Sequence, residues 1–442
     1  MKNFIRRTDA YKHSHYALID PRIHYMNSYF EARSDKMFSK LVFFGMQGYL
    51  NEYLRRPITM NDVEQAKERT EKGGLPFNYA GWKAIVDDYD GYLPLIIESV
   101  DEGSVNNVHD CLIQVRNTDR RFPWLAAGIE TSLHRLWYPC TVASLSRSVK
   151  EGIYTNLLKT SDIPEENLKF KLQDFGARGS TSGESAGIGG AAHLINFFGT
   201  DTDEAIDYII DNYDSDVCGF SIPASEHSTV TCWGRDHEYD MFAHMVNQYA
   251  KPGAKFACVS DSYNIYEAIS TGWAGLKDEI RNSGATLVIR PDSGKPIEKI
   301  ILEVSERIFQ VFDKWTVNSK GFKVFEPCVA AIQGDGCSPE IIKSIENTLI
   351  ANRISTQNWT YGMGGGLLQK VNRDDMSFAM KTSAASYDGE DWFDVYKDPI
   401  TDSGKRSRPG IQKGPMKVRY MNGEFLNKTN FSEIRTRAWE GV

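Results

Sequence analysis

The chain has 442 residues, of which 41% are hydrophobic and 25% charged, a balance typical of a globular protein with two or three domains. The formal charge of −8 argues against non-specific binding to nucleic acid. No signal peptide is apparent, nor any apolar run of the roughly 18 residues that a membrane span needs. The seven scattered cysteines form no CxxC pair, so we expect a cytoplasmic protein without a disulfide framework or a zinc site.

The two ends of the chain carry mixed strand and helix patterns. Alternation of apolar and polar residues predicts a strand near the N-terminus, helical periodicity follows it, and short strand patterns return near the C-terminus. The segments are a strand over 23–33, helices over 46–56 and 61–72, and strands over 391–396 and 416–420. We expect residues 1–150 and 376–442 to pack together as one α+β domain.

The central part, residues 151–375, alternates strand and helix patterns. Runs that favour a strand and end in a polar turn lie over 170–179, 255–263, 286–294, 329–336 and 359–366. Helical patterns lie over 184–198, 236–250, 265–282, 297–315 and 339–352. This alternation predicts parallel βα units. A doubly wound sheet would gather its loops at one switch point, whereas five polar loops favour a βα barrel, whose loops meet on one face.

The segment GMGGGLLQK, residues 362–370, is the strongest local signal for a phosphate. Its three consecutive glycines leave backbone N–H groups unobstructed, and a helix beginning at Leu367 would add a partial positive charge. Lys370, Arg373 and Lys381 follow as sources of full positive charge. The alternative is a flexible turn before a helix, and the segment lacks the GxxxxGK[ST] pattern of a Walker A loop.

Two further loops carry groups suited to a ribose phosphate. In IRPDSG, Arg290 could hold a phosphate or stack on a flat ring, and Asp292 could contact sugar hydroxyls or water around a metal ion. In QGDG, Asp335 lies in a tight turn between glycines, where it could bind a ribose. Each motif is also compatible with a structural Asx turn. Because the two motifs follow successive βα units, we expect their loops to be neighbours.

A basic stretch near the C-terminus has two interpretations. Residues 403–423 carry six cations and no acidic residue. Most of these cations are interpreted as a solvated basic face. Lys397 and Lys405, however, lie on a loop rich in turn-forming residues that could reach a polyphosphate.

Other motifs exclude some enzyme classes. His227 in PASEHST could be a nucleophile or a general base, although a lone histidine is more often structural. GxSxG and HExxH are absent, which weakens the hydrolase and zinc-protease hypotheses. DFG at 174–176 lacks the accompanying kinase motifs, so Phe175 and Arg178 are interpreted as an aromatic face and a cation for a flat ligand.

Taken in order, the motifs resemble the nicotinamide phosphoribosyltransferases, which are type II phosphoribosyltransferases. The set is TDAYKHSHY, YFEAR, DFGARG, AGIGGAAHL, GTDT, PASEHST, VSDSYNIY, IRPDSG, QGDG, GGGLLQKVNRD and KDPITDSGKRS, and it spans residues 8 to about 410. Each motif is weak alone, but the ordered set is specific. The resemblance implies an α/β fold, an irregular βα barrel with an additional α+β domain that contributes to a dimer interface.

The resemblance also implies an activity. Members of this family join nicotinamide to phosphoribosyl pyrophosphate, which gives nicotinamide mononucleotide and pyrophosphate for NAD salvage. They require Mg²⁺, which we expect to be held through pyrophosphate and water rather than by protein ligands. They also hydrolyse ATP by phosphorylating an active-site histidine, and they are homodimers with shared active sites.

The implied roles of individual residues begin with the pyridine. Phe175 and Tyr11, the latter from the partner subunit, would stack on the ring. Asp201 in GTDT would accept a hydrogen bond from the carboxamide and repel nicotinate. His227 would be the phosphorylated histidine, which reverses the structural interpretation given above.

The remaining implied contacts are with the sugar and the phosphates. They are Arg178 and Arg290 along the pyridine and phosphates, Asp292 at the ribose and the transferred centre, Gly334 and Asp335 at the ribose hydroxyls, Gly364 and Gly365 at the 5′-phosphate, Arg373, Lys381, Lys397 and Lys405 at phosphates, and Asp9 and Ser260 elsewhere in the substrate site. The catalytic residues among all of these would be His227, Arg290 and Asp292.

Four positions depart from the animal members of the family: Gln173, Asn264, Ala330 and Ala379. The first and third could alter the region where the pyridine leaves. Loss of an arginine at 330 and a serine at 379 could weaken ATP or phosphate contacts, which leaves ATP coupling open. Two rival hypotheses also stay open, a nicotinate phosphoribosyltransferase and a non-catalytic nucleotide-binding protein on the same fold.

Overall fold

A computed structural model describes residues 3–401 and 405–440, which form two compact units. Unit 1 contains the residues up to Ser144, Tyr208–Asp216 and Asn372–Glu440, and unit 2 contains Leu145–Asp207 and Val217–Val371. Each helix of the described part of the chain is too short or too polar to span a bilayer.

The strands in chain order are β1 (Tyr25–Glu31), β2 (Lys40–Val42), β3 (Leu95–Ser99), β4 (Val105–Asn107), β5 (Ile113–Asn117), β6 (Leu172–Asp174), β7 (Gly199–Thr200), β8 (Lys255–Val259), β9 (Thr286–Arg290), β10 (Thr316–Val317), β11 (Lys323–Val324), β12 (Val329–Gln333), β13 (Trp359–Met363), β14 (Ala379–Ser386), β15 (Trp392–Asp394), β16 (Lys417–Met421) and β17 (Glu424–Phe425).

The α-helices in chain order are α1 (Met46–Tyr53), α2 (Met60–Lys72), α3 (Tyr79–Asp88), α4 (Leu125–Gly128), α5 (Glu130–Leu133), α6 (Trp137–Thr160), α7 (Pro164–Leu168), α8 (Gly183–Leu194), α9 (Asp203–Tyr213), α10 (His227–Thr231), α11 (Glu238–Tyr249), α12 (Ile265–Glu267), α13 (Ala274–Ser283), α14 (Ile297–Val311), α15 (Pro339–Ala351), α16 (Gly365–Leu368) and α17 (Phe431–Trp439).

Unit 1 is built on an antiparallel sheet with the strand order β15-β14-β1-β5-β3-β16-β17. Strand β1 pairs with β14 on one side and with β5 on the other, so strands from both ends of the chain share this sheet. Strand β3 buries alternate residues, as a strand does when one face covers a core. That core includes Phe30, Ile97, Val115 and Tyr420. The predicted α+β domain formed by the two chain ends is confirmed.

Unit 2 contains a parallel sheet with the order β7-β6-β13-β12-β9-β8. Its strands are short apolar runs with buried centres, as expected of strands covered on both faces. Side chains cap the helices that follow, for example Ser182 at α8 and Ser338 at α15, whose first residue is Pro339. The five predicted strands are present as β6, β8, β9, β12 and β13, and the two-residue β7 was not predicted.

An irregular segment over 220–225, which we call the seam, joins the two edge strands of this sheet. On the β7 side, the N–H of Thr200 donates to the carbonyl of Phe220 at 3.0 Å. On the β8 side, the N–H of Ala257 donates to the carbonyl of Pro223 at 2.8 Å. The sheet therefore closes into an irregular βα barrel, and the prediction of a barrel rather than an open doubly wound sheet is confirmed.

The unit boundaries differ slightly from the predicted domain boundaries. Unit 1 ends after Ser144 and resumes at Asn372, whereas the sequence patterns placed these limits at residues 150 and 376. Tyr208–Asp216, predicted within the barrel domain, belongs to unit 1, where the Tyr213 hydroxyl donates to the buried Glu102 carboxylate at 2.9 Å. Helical periodicity shows that a face is buried but not which element covers it, so the sequence could not assign this segment.

Candidate active site

The loops that follow the parallel strands of unit 2 meet at one end of the barrel. Gly334, after β12, shows how closely they approach. A Cβ atom built on this glycine would lie 3.3 Å from Asp292 Oδ1 and 3.4 Å from the ring of Phe175. Arg290 Nε would lie 3.5 Å from the same point. The structure therefore brings together the motifs DFGARG, IRPDSG and QGDG.

The IRPDSG and QGDG loops are each ordered by hydrogen bonds between their own residues. Arg290 Nε donates to Asp292 Oδ1 at 3.1 Å, which fixes the cation and the carboxylate of IRPDSG relative to each other. The Gln333 side-chain amide donates to the carbonyl of Asp335 at 2.8 Å and closes the QGDG turn. The Asp335 side chain is exposed and available to a ligand.

His227 begins α10 and lies between two carboxylates. Its Nε2 is 3.0 Å from Asp261 Oδ1, and its Nδ1 is 3.9 Å from Asp292 Oδ2. The Asp261 side chain is 4% exposed and that of His227 is 44% exposed. The second Asp261 oxygen accepts the Asp292 N–H at 2.8 Å and the Ser293 hydroxyl at 2.5 Å. Asp261 thus orients the imidazole, and the rest of the ring is accessible to a ligand, which suits a reactive histidine.

Ser260, predicted to bind substrate, is buried in the barrel wall. Its hydroxyl donates to the carbonyl of Cys258 at 3.0 Å and accepts the Trp273 indole N–H at 3.0 Å. This corrects the prediction, because the residue that VSDSYNIY presents to the site is Asp261. Both residues follow the end of β8 at Val259, and the sequence did not say which of them turns toward the site.

Phe175 is half-buried, and the adjacent glycine makes room for its ring. Its N–H donates to the carbonyl of Met363 at 3.0 Å. A Cβ atom on Gly362 would lie 2.1 Å from Phe175 Cε2, so a larger residue there would displace the ring. The apolar side chains around the ring are Ala257, Val288, Ala330 and Ile332. The departure at Ala330 therefore contributes to an apolar wall beside the predicted stacking residue.

Asp201, the predicted amide acceptor, follows β7 and is exposed. Its carboxylate accepts a hydrogen bond from the Ser221 hydroxyl of the seam, and its N–H donates to the carbonyl of Asp174 at 2.9 Å. Asp174 directly precedes Phe175 and is fully buried, and this burial raises the pKa of its carboxyl group to about 6. Asp174 is therefore linked to both predicted base contacts, to Phe175 as its neighbour in the chain and to Asp201 through a backbone hydrogen bond.

The glycine-rich loop after β13 runs beside DFGARG. A Cβ atom on Gly364 would lie 3.2 Å from the carbonyl oxygen of Phe175, and one on Gly179 would lie 3.6 Å from Gly365 Cα. Arg178 is exposed next to this loop. Helix α16 begins at Gly365, not at Leu367 as predicted, and has only four residues. The loop therefore offers backbone N–H groups to an anion, whereas so short a helix contributes little dipole.

The remaining predicted residues lie in unit 1. Tyr11 is on a 3-10 helix, Ala10–Ala17, and is 59% exposed. Asp9 precedes this helix, and its carboxylate accepts the Thr131 hydroxyl at 2.7 Å. Asp9 thereby anchors the segment that carries Tyr11, a function that the sequence did not reveal.

Glu130 ties two cations of unit 1 together. Its Oε2 is 2.7 Å from Lys12 Nζ, and its Oε1 is 3.6 Å from Lys381 Nζ. Burial lowers the pKa of Lys381. Glu130 carried no signal in the sequence, because its partners are more than a hundred residues away along the chain.

Arg33 in YFEAR is a cation that the sequence analysis did not single out. Its Nε and Nη1 atoms are buried and have no hydrogen-bond partner among the described residues. Its positive charge is close enough to Lys381 to lower the pKa of that lysine further, after the larger effect of burial. Two buried guanidinium nitrogens without an acceptor favour an anionic ligand.

The other predicted cations of unit 1 are on the surface. Arg373 pairs with its neighbour Asp374 at 2.8 Å. Lys397 and Lys405 are exposed, and the N–H of Lys397 donates to the Ser407 hydroxyl at 3.0 Å.

Several cations of the basic stretch pair with carboxylates instead of forming a solvated face, and this corrects part of the earlier interpretation. The pairs are Arg408 with Glu31 at 3.0 Å, Lys417 with Asp101 at 2.8 Å and Arg419 with Asp101 at 2.6 Å. Ser403 and Gly404 of that stretch lie outside the described residues.

Family models match most of the chain. Residues 170–429 match the nicotinate phosphoribosyltransferase (NAPRTase) family, and residues 3–97 match the nicotinamide phosphoribosyltransferase N-terminal domain. The chain belongs to the nicotinate phosphoribosyltransferase family. The resemblance drawn from the ordered motifs is confirmed, and the chain is an enzyme of the phosphoribosyltransferase type.

Relatives cover nearly the whole chain. A protein named nicotinamide phosphoribosyltransferase from Xanthomonas campestris pv. campestris is 46% identical over 414 residues, 93% of this chain and 87% of that protein. One with the same name from Acinetobacter baylyi is 28% identical over 98% of this chain and 97% of that protein.

Solved structures share the fold of this member of the NAPRTase family. Nicotinate-nucleotide pyrophosphorylase from Pyrococcus furiosus matches with a TM-score of 0.59 and 12% identity over 99% of this chain and 95% of that one. Human nicotinic acid phosphoribosyltransferase matches with a TM-score of 0.58 and 13% identity over 98% and 92%. The predicted type II phosphoribosyltransferase fold is confirmed.

Proposed function

We propose that this chain transfers the phosphoribosyl group of phosphoribosyl pyrophosphate to nicotinamide, giving nicotinamide mononucleotide and pyrophosphate for NAD salvage. The observation that carries the proposal is the convergence of Phe175, Arg290 and Asp292 around Gly334. An aromatic ring, a cation and a carboxylate at one point suit a flat base beside a phosphorylated sugar. The relative at 46% identity, which bears the name of this activity, supports the same reaction.

The base is selected by Phe175 and Asp201. The ring of Phe175 stacks on the pyridine, and the Asp201 carboxylate accepts a hydrogen bond from the carboxamide NH2. A second carboxylate, that of nicotinate, would be repelled at the same place. Ser221 already donates to Asp201 and so fixes the direction of this carboxylate.

The transfer needs no side-chain nucleophile. Oxocarbenium character builds at the anomeric carbon as pyrophosphate leaves, so the protein holds the base in line and neutralises the leaving group. Asp292 contacts the ribose near the reacting carbon, Asp335 and Gly334 hold its hydroxyls, and Arg290 lies along the phosphates. The backbone N–H groups of Gly364 and Gly365 receive the 5′-phosphate.

Cations and a metal ion handle the pyrophosphate. Arg178, Arg373, Lys381, Lys397 and Lys405 supply positive charge. Arg33, two of whose guanidinium nitrogens are buried without a hydrogen-bond partner among the described residues, is a further candidate. Among the described residues no group of three or more His, Cys, Asp or Glu side chains is placed to hold a metal. Mg²⁺ is proposed to be held through pyrophosphate and water, where it would neutralise charge on the leaving group.

ATP is proposed as a co-substrate that phosphorylates His227. The contact with Asp261 keeps the ring proton on Nε2, which leaves the lone pair of Nδ1 as the nucleophile. We further propose a cytoplasmic homodimer in which Tyr11 of the partner subunit covers the other face of the pyridine. The exposure of Tyr11 supports this assignment.

One assay tests the reaction. The protein is mixed with phosphoribosyl pyrophosphate, Mg²⁺ and either nicotinamide or nicotinate, with and without ATP, and the mononucleotides are separated by chromatography. We expect nicotinamide mononucleotide in both nicotinamide reactions and more of it with ATP. If only the nicotinate reactions give a mononucleotide, the chain is a nicotinate enzyme. If neither base gives product, the non-catalytic alternative is left.

Asp201→Asn is expected to shift the base preference. The amide removes the negative charge that repels nicotinate, so the ratio of kcat/KM for nicotinate to that for nicotinamide should rise on the order of tenfold or more. Asp203→Asn is the matched control, since Asp203 is an exposed carboxylate at the start of α9 and has no proposed role. An unchanged ratio in Asp201→Asn would remove this residue from base selection.

A further inference from the structure

Asp174 is a buried carboxylate that none of the steps above uses. It lies at the end of β6 with no exposed surface, between the barrel and α8. A Cβ atom on Gly190 of α8 would lie 2.9 Å from Asp174 Oδ2, so the missing side chain at Gly190 allows the helix to approach the carboxylate closely. This gives the motif AGIGGAAHL a purpose that the proposed reaction leaves unexplained.

The carboxylate orders the turn that carries Phe175. Asp174 Oδ1 accepts the N–H of Gly176 at 2.8 Å, which closes the turn around the stacking residue. A Cβ atom on Gly176 would lie 3.0 Å from the same oxygen and 2.6 Å from Leu368 Cγ, so the turn is compressed between the carboxylate and α16.

The same residue orders the loop that carries Asp201. Asp174 Oδ2 accepts the Thr200 hydroxyl at 3.4 Å, and that hydroxyl accepts the N–H of Thr202 at 3.0 Å. The carbonyl of Asp174 accepts the N–H of Asp201 at 2.9 Å. The Asp174 carboxylate therefore accepts hydrogen bonds from both of the loops that hold the base.

A residue that only filled space here would not need a charge. Burial raises the pKa of Asp174 to about 6, so above this pH the folded protein keeps an ionised carboxylate in the wall at a cost in stability. Perturbed groups of this kind concentrate at functional sites, where geometry is maintained at the expense of stability.

We propose that Asp174 is a positioning residue for base selection, which fixes the distance between the stacking ring of Phe175 and the carboxylate of Asp201. This inference rests on the proposed function. It assigns to Asp174 an effect on the affinity for the base and on the choice between nicotinamide and nicotinate, while the phosphoribosyl end of the site is unaffected.

The test compares Asp174→Ala, Asp174→Asn and a matched control, Glu346→Gln. Glu346 is also a buried carboxylate of unit 2, on α15, and its Oε2 accepts a hydrogen bond from the Asn156 side-chain amide at 2.7 Å. Burial raises the pKa of Glu346 to about 7, so its replacement also removes a buried acid. Steady-state constants for both substrates, melting temperature and amide hydrogen exchange are measured for each variant.

In Asp174→Ala we expect KM for nicotinamide to rise about tenfold or more, with KM for phosphoribosyl pyrophosphate within about twofold. Asp174→Asn keeps an oxygen for Gly176 and should show a smaller rise. Its melting temperature at pH 8 should be at or above that of the unmutated protein, because a buried charge is removed. Amide hydrogens of peptides covering 175–177 and 199–202 should exchange faster in Asp174→Ala. Their exchange rates should be unchanged in Glu346→Gln.

Failure of this inference is distinct from failure of the proposed function. If the unmutated protein makes no mononucleotide, the proposed function falls, and the exchange of the two loops still reports whether Asp174 orders them. Equal rises in KM for both substrates, or unchanged exchange in both loops, would overturn the positioning role. So would Asp174→Ala and Glu346→Gln variants with indistinguishable kinetics.

Discussion

Alanine at position 227 is expected to remove the stimulation of product formation by ATP and to leave basal transfer within about threefold of the unmutated rate. The imidazole is the only part of the His227–Asp261 pair that is open to a ligand, with 44% and 4% of the side chains exposed. Without the ring there is no nitrogen to accept the phosphoryl group, whereas the base and ribose contacts are unchanged. ATP hydrolysis and mononucleotide formation are measured in the same reaction.

His237→Ala is the matched control. His237 also contacts a carboxylate, Asp240 at 2.7 Å, but its side chain is 65% exposed outside the candidate site. This variant should retain ATP stimulation. Asp261→Asn should weaken the stimulation on the order of a hundredfold, because the amide oxygen would stay with the Asp292 and Ser293 donors and the NH2 would face Nε2, which favours the wrong tautomer of the ring. ATPase activity that persists in His227→Ala would contradict the phosphohistidine.

Phe175→Ala is expected to raise KM for nicotinamide about 10- to 100-fold. Stacking of a base on an aromatic side chain contributes on the order of 1–3 kcal/mol, and each ~1.4 kcal/mol corresponds to about tenfold. Gly362→Ala should act in the same direction, because its Cβ atom would occupy the position of the ring. Initial rates over a range of nicotinamide concentrations at saturating phosphoribosyl pyrophosphate measure the effect.

The control must separate lost stacking from lost stability. Phe309→Ala removes a buried ring of unit 2 that packs against Trp315 and Phe325 and takes no part in the candidate site. It should lower the free energy of unfolding by on the order of 3–5 kcal/mol, and with it the melting temperature, with little effect on KM for nicotinamide. If Phe175→Ala changes KM no more than Phe309→Ala does, Phe175 does not stack on the base.

Much of the barrel could be predicted because its strands have a recognisable sequence pattern. Buried parallel strands are short apolar runs, and each here ends in a polar turn, so β6, β8, β9, β12 and β13 were all expected. The two residues of β7 are too few to carry a pattern. The seam has no strand periodicity at all, since it takes part in the ring through isolated backbone hydrogen bonds.

The residues of the candidate site also fall into those that the sequence could identify and those that it could not. Residues on loops after strands, such as Asp292 and Asp335, could be identified because their position in the fold follows from the pattern. The choice of Asp261 over Ser260 depends on how the chain turns after β8 ends at Val259, which the strand pattern does not show. Glu130 matters through partners distant in sequence, and Arg33 through the burial of two of its guanidinium nitrogens, so only the folded chain reveals them.

The seam also affects two parts of the candidate site at once. The ladders of β8, β9, β12, β13 and β6 place Asp292 beside Gly334. The seam carries Ser221, the partner of Asp201, and His227 follows two residues after its end. A substitution that loosened the seam would therefore disturb together the residue proposed to recognise the amide and the residue proposed to accept the phosphoryl group.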